Sequence, residues 1–169
     1  MTVISGTRAT TFFLDLAPHA LDLDDLVEVA CGMAEEDGWW GPRIRFREDS
    51  RWWTRLHGDD VLDVWLLTWL HDQSTDLHDH GESAAAFVVV QGELSEVRVE
   101  GLSEKQRNMR AGDVMTVEPG VVHDVRNPRG LAAISIHAYS PPLREMTYYR
   151  QESSGRLAVD QVVRRELEP

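Results

Sequence analysis

Apolar residues recur at every third or fourth position between residues 22 and 36, and at every second position through most of the chain that follows. The first stretch reads as one amphipathic helix. Leu23, Leu26, Val27, Ala30, Met33 and Ala34 form its apolar stripe, Asp22 is placed to cap its start, and Gly38 and Pro42 to end it. The alternating stretches read as strands: 51–57, 61–70, 85–90, 93–100, 113–117, 121–126 and 131–139. Turn residues separate them at Gly58-Asp59, Gly81, Gly92, Gly112, Pro119-Gly120 and Pro128-Arg129-Gly130. Short strands at this spacing predict an all-β sandwich or barrel carrying a helical N-terminal layer. After Pro142 the pattern is ambiguous, and 156–167 fits either a strand or a short helix.

Length and charge narrow the picture. At 169 residues the chain is expected to form a single domain, with the helical layer at about 8–40 and the barrel at about 43–150. A formal net charge of −12 argues against nucleic acid or an anionic membrane as partner, because both demand a basic face. The first residues show no apolar run behind a basic start, and the longest apolar stretch, 84–90, is too short to span a bilayer. Cys31 is the only cysteine, which excludes an internal disulfide and fits a reducing, cytoplasmic interior; it reads as a small core residue of the helix. The expected partner is a small molecule, and the expected state a monomer or weak homo-oligomer.

Two histidine patterns carry the chemistry. In His78-Asp79-His80 an extended backbone puts both imidazoles on one face, and His123 in Gly120-Val121-Val122-His123 would come from another strand. Three neutral imidazoles on one side of a metal leave the other side open to substrate. Ser135, His137 and Tyr139 alternate with Ile134, Ile136 and Ala138, so one strand face presents hydroxyl, imidazole and phenol in line. The bland readings are polar strand residues satisfied by backbone for the first set and a solvated outer face for the second.

The segments around these residues, with Gly92, Gly112, Gly120 and Asn127, resemble the two motifs of the cupin barrel. They depart from those motifs at Asp72, Glu118 and above all Ala85, which stands where a glutamate ligand belongs. Glu82 is close but out of step and reads as a turn residue. Without a carboxylate ligand a divalent ion keeps its full charge and can take an anionic substrate directly. From the ligands alone iron(II) fits best, and zinc is the rival.

With Trp69, Thr54-Arg55, Val125, Asn127 and the run Ser135-Ile136-His137-Ala138-Tyr139-Ser140-Pro141-Pro142, the chain resembles the cysteine dioxygenases of the thiol dioxygenase family over roughly residues 50–150. That resemblance implies iron(II) held by His78, His80 and His123, dioxygen as co-substrate, and L-cysteine oxidised at sulfur to the sulfinate. It implies Tyr139 beside the reacting groups, supported by His137 and Ser135, Arg55 on the substrate carboxylate, and a cis bond at Ser140–Pro141. Arg55 is expected to point inward and to need an anion, since no acidic residue lies at 51–57. Ala85 replaces the cysteine that animal members link to the tyrosine, which places the chain with the bacterial type. Trp53 stands where a tyrosine is usual. Met146 favours cysteine over 3-mercaptopropionate, whereas Arg144 keeps the second substrate open. A zinc or manganese cupin isomerase or hydrolase, and a non-catalytic binding cupin, are the other readings.

The remaining candidates read as structural. His19, His57 and His71 stand apart from the motifs, most of the tryptophans at 39, 40, 52, 53, 65 and 69 are expected to fill the core or the helix–barrel seam, and Arg43, Arg45 and Arg47 line a possible edge strand.

Overall fold

The computed structural model describes residues 20–164, so His19 and the first part of the expected helical layer lie outside the described residues, as do residues 165–167 of the tail. Helix α1 runs Leu23–Glu35 and starts at a reciprocal cap, in which the Asp22 carboxylate accepts from Asp25 N–H while the Asp25 carboxylate accepts from Asp22 N–H. A short helix α2, Asp37–Trp40, and a 3-10 turn, Gly41–Arg43, carry the chain to the barrel. Trp40 fastens this corner by donating its indole N–H to the Met33 carbonyl at 2.9 Å.

Eleven strands follow: β1 Trp52–Gly58, β2 Asp63–Trp69, β3 His78–Asp79, β4 Ala84–Gln91, β5 Glu93–Glu100, β6 Ser103–Arg110, β7 Val114–Val117, β8 His123–Arg126, β9 Ala133–Ser140, β10 Glu145–Gln151 and β11 Leu157–Arg164. One sheet has the order β1-β2-β9-β4-β7, the other β11-β10-β3-β8-β5-β6, and the named pairings are antiparallel. This is the cupin-type double-stranded β-helix that the resemblance implies, with helix α1 laid against its first sheet.

Alternation along the first sheet explains that packing. On β9, Ile134, Ile136 and Ala138 face outward and join Val64, Leu66, Ala86 and Val88 in a cluster with the α1 stripe Leu26, Val29, Ala30 and Met33. Fully burying a Leu, Val or Met side chain is worth about 1.5–3 kcal/mol, so the stripe holds the helix to the sheet. The other parity faces into the barrel, where Leu67, Trp69, Ala85, Phe87 and Val89 meet Leu94, Met109 and Val125 of the second sheet. Both faces of β9 are therefore covered. All eight of its residues are buried, which removes the solvated-face reading of Ser135, His137 and Tyr139.

Gly92, at the β4–β5 turn, has φ +78, and a Cβ there would meet the Ala132 carbonyl oxygen at 2.7 Å; only glycine fits. Strands β6 and β10 have no counterpart in the period-two reading, and residues 121 and 122 belong to the turn before β8. The arginines at 43, 45 and 47 are not on a strand: Arg43 stacks on Trp39, Arg45 donates to the Pro42 carbonyl, and Arg47 pairs with Asp49. Cys31 is partly exposed, not a core residue. Among the described residues no helix is long and apolar enough to cross a membrane.

Candidate active site

Strands β3 and β8 are register partners at His78 and His123, and the chain leaves β3 into the turn at His80, so the three imidazoles meet inside the barrel. Each is at most 3% exposed. His78 Nε2 lies 3.1 Å from His80 Nε2, and His123 Nε2 lies 3.3 Å from it. Two donors each about 2.1 Å from a common ion would stand roughly 3 Å apart when cis, so these spacings fit one shared metal.

Hydrogen bonding behind the rings decides which nitrogen is offered. His78 Nδ1 is 2.8 Å from the Asp76 carbonyl, which can only accept, so Nδ1 carries the proton and Nε2 keeps its lone pair. His123 Nδ1 is 2.8 Å from Glu96 Oε1, with the same consequence. Burial, then the neighbouring His123, pushes His78 down to about 3, and the same causes hold His80 well below 6.5. Three buried imidazoles whose Nε2 atoms converge are a metal-binding set, and His78, His80 and His123 form such a group.

Glu96 is a site residue that the sequence reading missed. Its carboxylate is 1% exposed and bridges His123 to Arg98, whose Nε lies 3.0 Å from Oε2. Burial alone would raise its pKa, but the hydrogen bond from His123 and the nearby charge of Arg98 outweigh that and hold it below the ordinary glutamate value. The missing ligand carboxylate at Ala85 thus has a counterpart one bond behind the metal site. The clue in the sequence was its parity, which Glu96 shares with Leu94 on the same strand, but parity alone does not tell an inward glutamate from a solvated one.

Ser135, His137 and Tyr139 also come together. Ser135 Oγ is 2.8 Å from His137 Nε2, and Tyr139 Oη is a longer 3.4 Å from His137 Nδ1. Phe87 stacks on the His137 ring at 4.7 Å and 8°, which fixes its plane. Burial above all, with the nearby Arg51 guanidinium adding to it, keeps His137 well below 6.5 and so neutral. Tyr139 meets His80 edge-on at 5.0 Å, joining this set to the metal group. Ala85 is opposite Tyr139 in the sheet and offers no sulfur for a cross-link. The Ser140–Pro141 bond is cis.

The three histidines, His137 and Tyr139 line one cavity of about 100 Å3, small enough to select a small molecule. Its other walls include Trp53, Trp65, Met146 and Tyr148, and Arg51 reaches into it. Arg55 is not brought to the cavity. Its guanidinium is held by Asp63, to which Nε donates at 2.7 Å, and Asp63 is 1% exposed. The anion for Arg55 comes from the strand opposite, at Asp63, outside the 51–57 window in which none was found. Arg51 has the properties expected of Arg55: among the described residues no carboxylate pairs with it, and its Nε donates to the Ser74 carbonyl at 2.6 Å. Glu82 is exposed in its turn and Arg144 is exposed beyond the cavity, while His57 and His71 pair with Asp59 and Asp72.

A barrel of this topology with three convergent imidazoles in a small interior cavity is a metal-binding cupin. Solved structures share the fold. A protein from Thermus thermophilus is 18% identical with a TM-score of 0.55, covering 60% of this chain and 92% of its own. A Klebsiella pneumoniae protein with a double-stranded β-helix domain is 19% identical with a TM-score of 0.54, covering 60% and 80%. A cupin superfamily protein from Desulfitobacterium hafniense is 14% identical with a TM-score of 0.52, covering 60% and 87%. At these identities the likeness is one of fold alone. The sequence is more specific: residues 12–152 match the family described as cysteine dioxygenase type I, and the chain belongs to that family. Family and histidine triad together make it an iron-dependent thiol dioxygenase in class.

Proposed function

We propose that the protein oxidises L-cysteine to cysteine sulfinate, both atoms of dioxygen ending on sulfur, with iron(II) held by His78, His80 and His123. The observation that supports this most is one small cavity lined both by the three histidines and by Arg51, an arginine that no carboxylate pairs with among the described residues. Iron(II), when bound, supplies the unpaired electrons through which triplet dioxygen reacts with a closed-shell thiolate.

The chain's own residues do the rest. Arg51 takes the substrate carboxylate in a charge-assisted, forked hydrogen bond and so fixes the direction in which the thiol points. This moves to Arg51 the role that the family resemblance assigns to Arg55. Trp53, Trp65 and Met146 enclose the substrate and keep water from it. Tyr139, oriented by His137 and Ser135, holds its phenol at the reacting end, where it donates to oxygen as charge develops.

Oxygen-electrode kinetics with L-cysteine, 3-mercaptopropionate and cysteamine test the reading. L-Cysteine is expected to be the best substrate and cysteamine, without a carboxylate, a poor one. A clear preference for 3-mercaptopropionate would reassign the substrate, and no oxygen uptake with any thiol would overturn the function. Metal analysis of protein purified without added metal distinguishes iron from the zinc expected of a hydrolase.

A further inference from the structure

The Ser135–His137–Tyr139 row continues beyond Ser135, and its far end determines which way its protons point. Trp69 Nε1 lies 2.9 Å from Ser135 Oγ. An indole N–H donates and has no lone pair with which to accept, so the Ser135 oxygen must be the acceptor of this bond. The hydroxyl then has one proton to place, and its other neighbour is His137 Nε2 at 2.8 Å. Ser135 is 0% exposed. If Nε2 carried a proton, the hydroxyl would accept from both sides and its own proton would be stranded in the barrel interior. If Nε2 is bare, the hydroxyl donates to it and every group is satisfied. The cost of a stranded buried donor favours the second arrangement by roughly 5- to 150-fold.

We propose that Trp69 is a positioning residue that sets the direction of this relay. The indole N–H donates to Ser135, Ser135 O–H donates to His137 Nε2, and His137 Nδ1–H faces Tyr139 Oη. The phenol oxygen accepts on its imidazole side, so its own proton is turned away from His137. A flip of the imidazole would keep its plane against Phe87 but would turn ring carbons toward Ser135 and Tyr139, giving up both bonds. Trp69 is itself held in place: its ring is 0% exposed, and its carbonyl accepts from Asn127 Nδ2 at 3.3 Å. The consequence for catalysis, a tyrosine presented to the reacting groups as a donor, rests on the dioxygenase reading. The direction of the relay does not.

Nitrogen NMR of 15N-histidine-labelled, zinc-loaded protein reads the tautomer directly, and zinc keeps the sample diamagnetic. In the wild type, His137 is expected to show a protonated Nδ1 and a bare Nε2, in excess of roughly 5-fold over the alternative. Trp69→Phe keeps an aromatic ring and removes the N–H. It also opens room on the order of one water, ~30 Å3, which would give the Ser135 proton a second acceptor. The tautomer ratio is then expected to move measurably toward protonated Nε2. A wild-type His137 protonated at Nε2 overturns the proposal without depending on any variant's folding. A Trp69→Phe protein with the wild-type ratio removes Trp69 from the role. In the iron-loaded enzyme, Trp69→Phe should lower the fraction of consumed oxygen recovered as sulfinate. Absence of any thiol-dependent oxygen uptake would strike the dioxygenase reading and leave the tautomer result standing.

Discussion

Exchanging the roles of Arg51 and Arg55 has consequences that a pair of alanine substitutions separates. In Arg55→Ala, Asp63 is left 1% exposed with only the Leu143 N–H, 3.1 Å from Oδ2, among the bonds assigned to its carboxylate. Stranding one partner of a buried ion pair costs about 3–5 kcal/mol. The Arg55 side chain is 33% exposed, so solvent already screens this pair and about 2–3 kcal/mol is the better figure. For a protein of this size that lowers the melting temperature by roughly 4–12 °C. Cysteine affinity in the folded fraction should hardly change. Arg51→Ala should do the opposite. It gives up a bond to the Ser74 carbonyl, worth about 1 kcal/mol, and relieves the burial of a guanidinium. The lost substrate contact, about 1.5–3 kcal/mol, should weaken apparent cysteine affinity roughly 10- to 150-fold. Cysteamine turnover, already poor, should be little affected. Oxygen-electrode kinetics on both thiols and thermal melts of both variants are the assay. If Arg55→Ala raises the KM for cysteine while melting like the wild type, and Arg51→Ala leaves that KM alone, the carboxylate site has been assigned to the wrong arginine.

Three other outcomes are expected. Glu96→Gln keeps an acceptor oxygen at His123 but removes its charge, and should weaken zinc binding about 10- to 100-fold by chelator competition; an unchanged affinity would reduce Glu96 to a packing role. Tyr139→Phe should retain metal and thiol binding while uncoupling oxygen uptake from sulfinate formation, and intact-mass analysis of the wild type should show no thioether at Tyr139, which faces Ala85. In the metal-free protein His78 is held at about 3 and His80 and His137 well below 6.5, so between those limits the unfolded chain binds more protons than the folded one. Stability should therefore be level above about pH 6.5 and fall as the pH drops toward about 3, and identical urea midpoints at about pH 7.5 and about pH 5 would show that these imidazoles are not buried neutral.

The barrel was legible where alternation was strong. Strand β9 alternates strictly, whereas β4 is an unbroken apolar run, 84–90, legible by its length and by the turn at Gly92. Strand β6 was not legible because it is an edge strand in which Met109 alone is buried, so SEKQRNMR carries no alternation at all. Strand β10 has a long intermediate burial pattern without a buried face, and β3 is only two residues long. The two histidine constellations were legible because side-chain parity follows directly from sequence spacing. The arginine was not, because Arg51, Trp53 and Arg55 share that parity, and the choice between the arginines depends on Asp63 in the paired strand. Which strands pair, and in what register, decides that contact and also the meeting of Glu96 with His123, and the spacing of residues within one strand does not show it.

Product analysis under 18O2 follows both oxygen atoms from dioxygen to sulfur. Wild-type protein loaded anaerobically with iron(II) and given L-cysteine should form cysteine sulfinate with both oxygens labelled, one dioxygen consumed per sulfinate, and His80→Ala should form none. Sulfinate carrying solvent oxygen at either position, or no sulfinate from a protein that retains its iron, would contradict it.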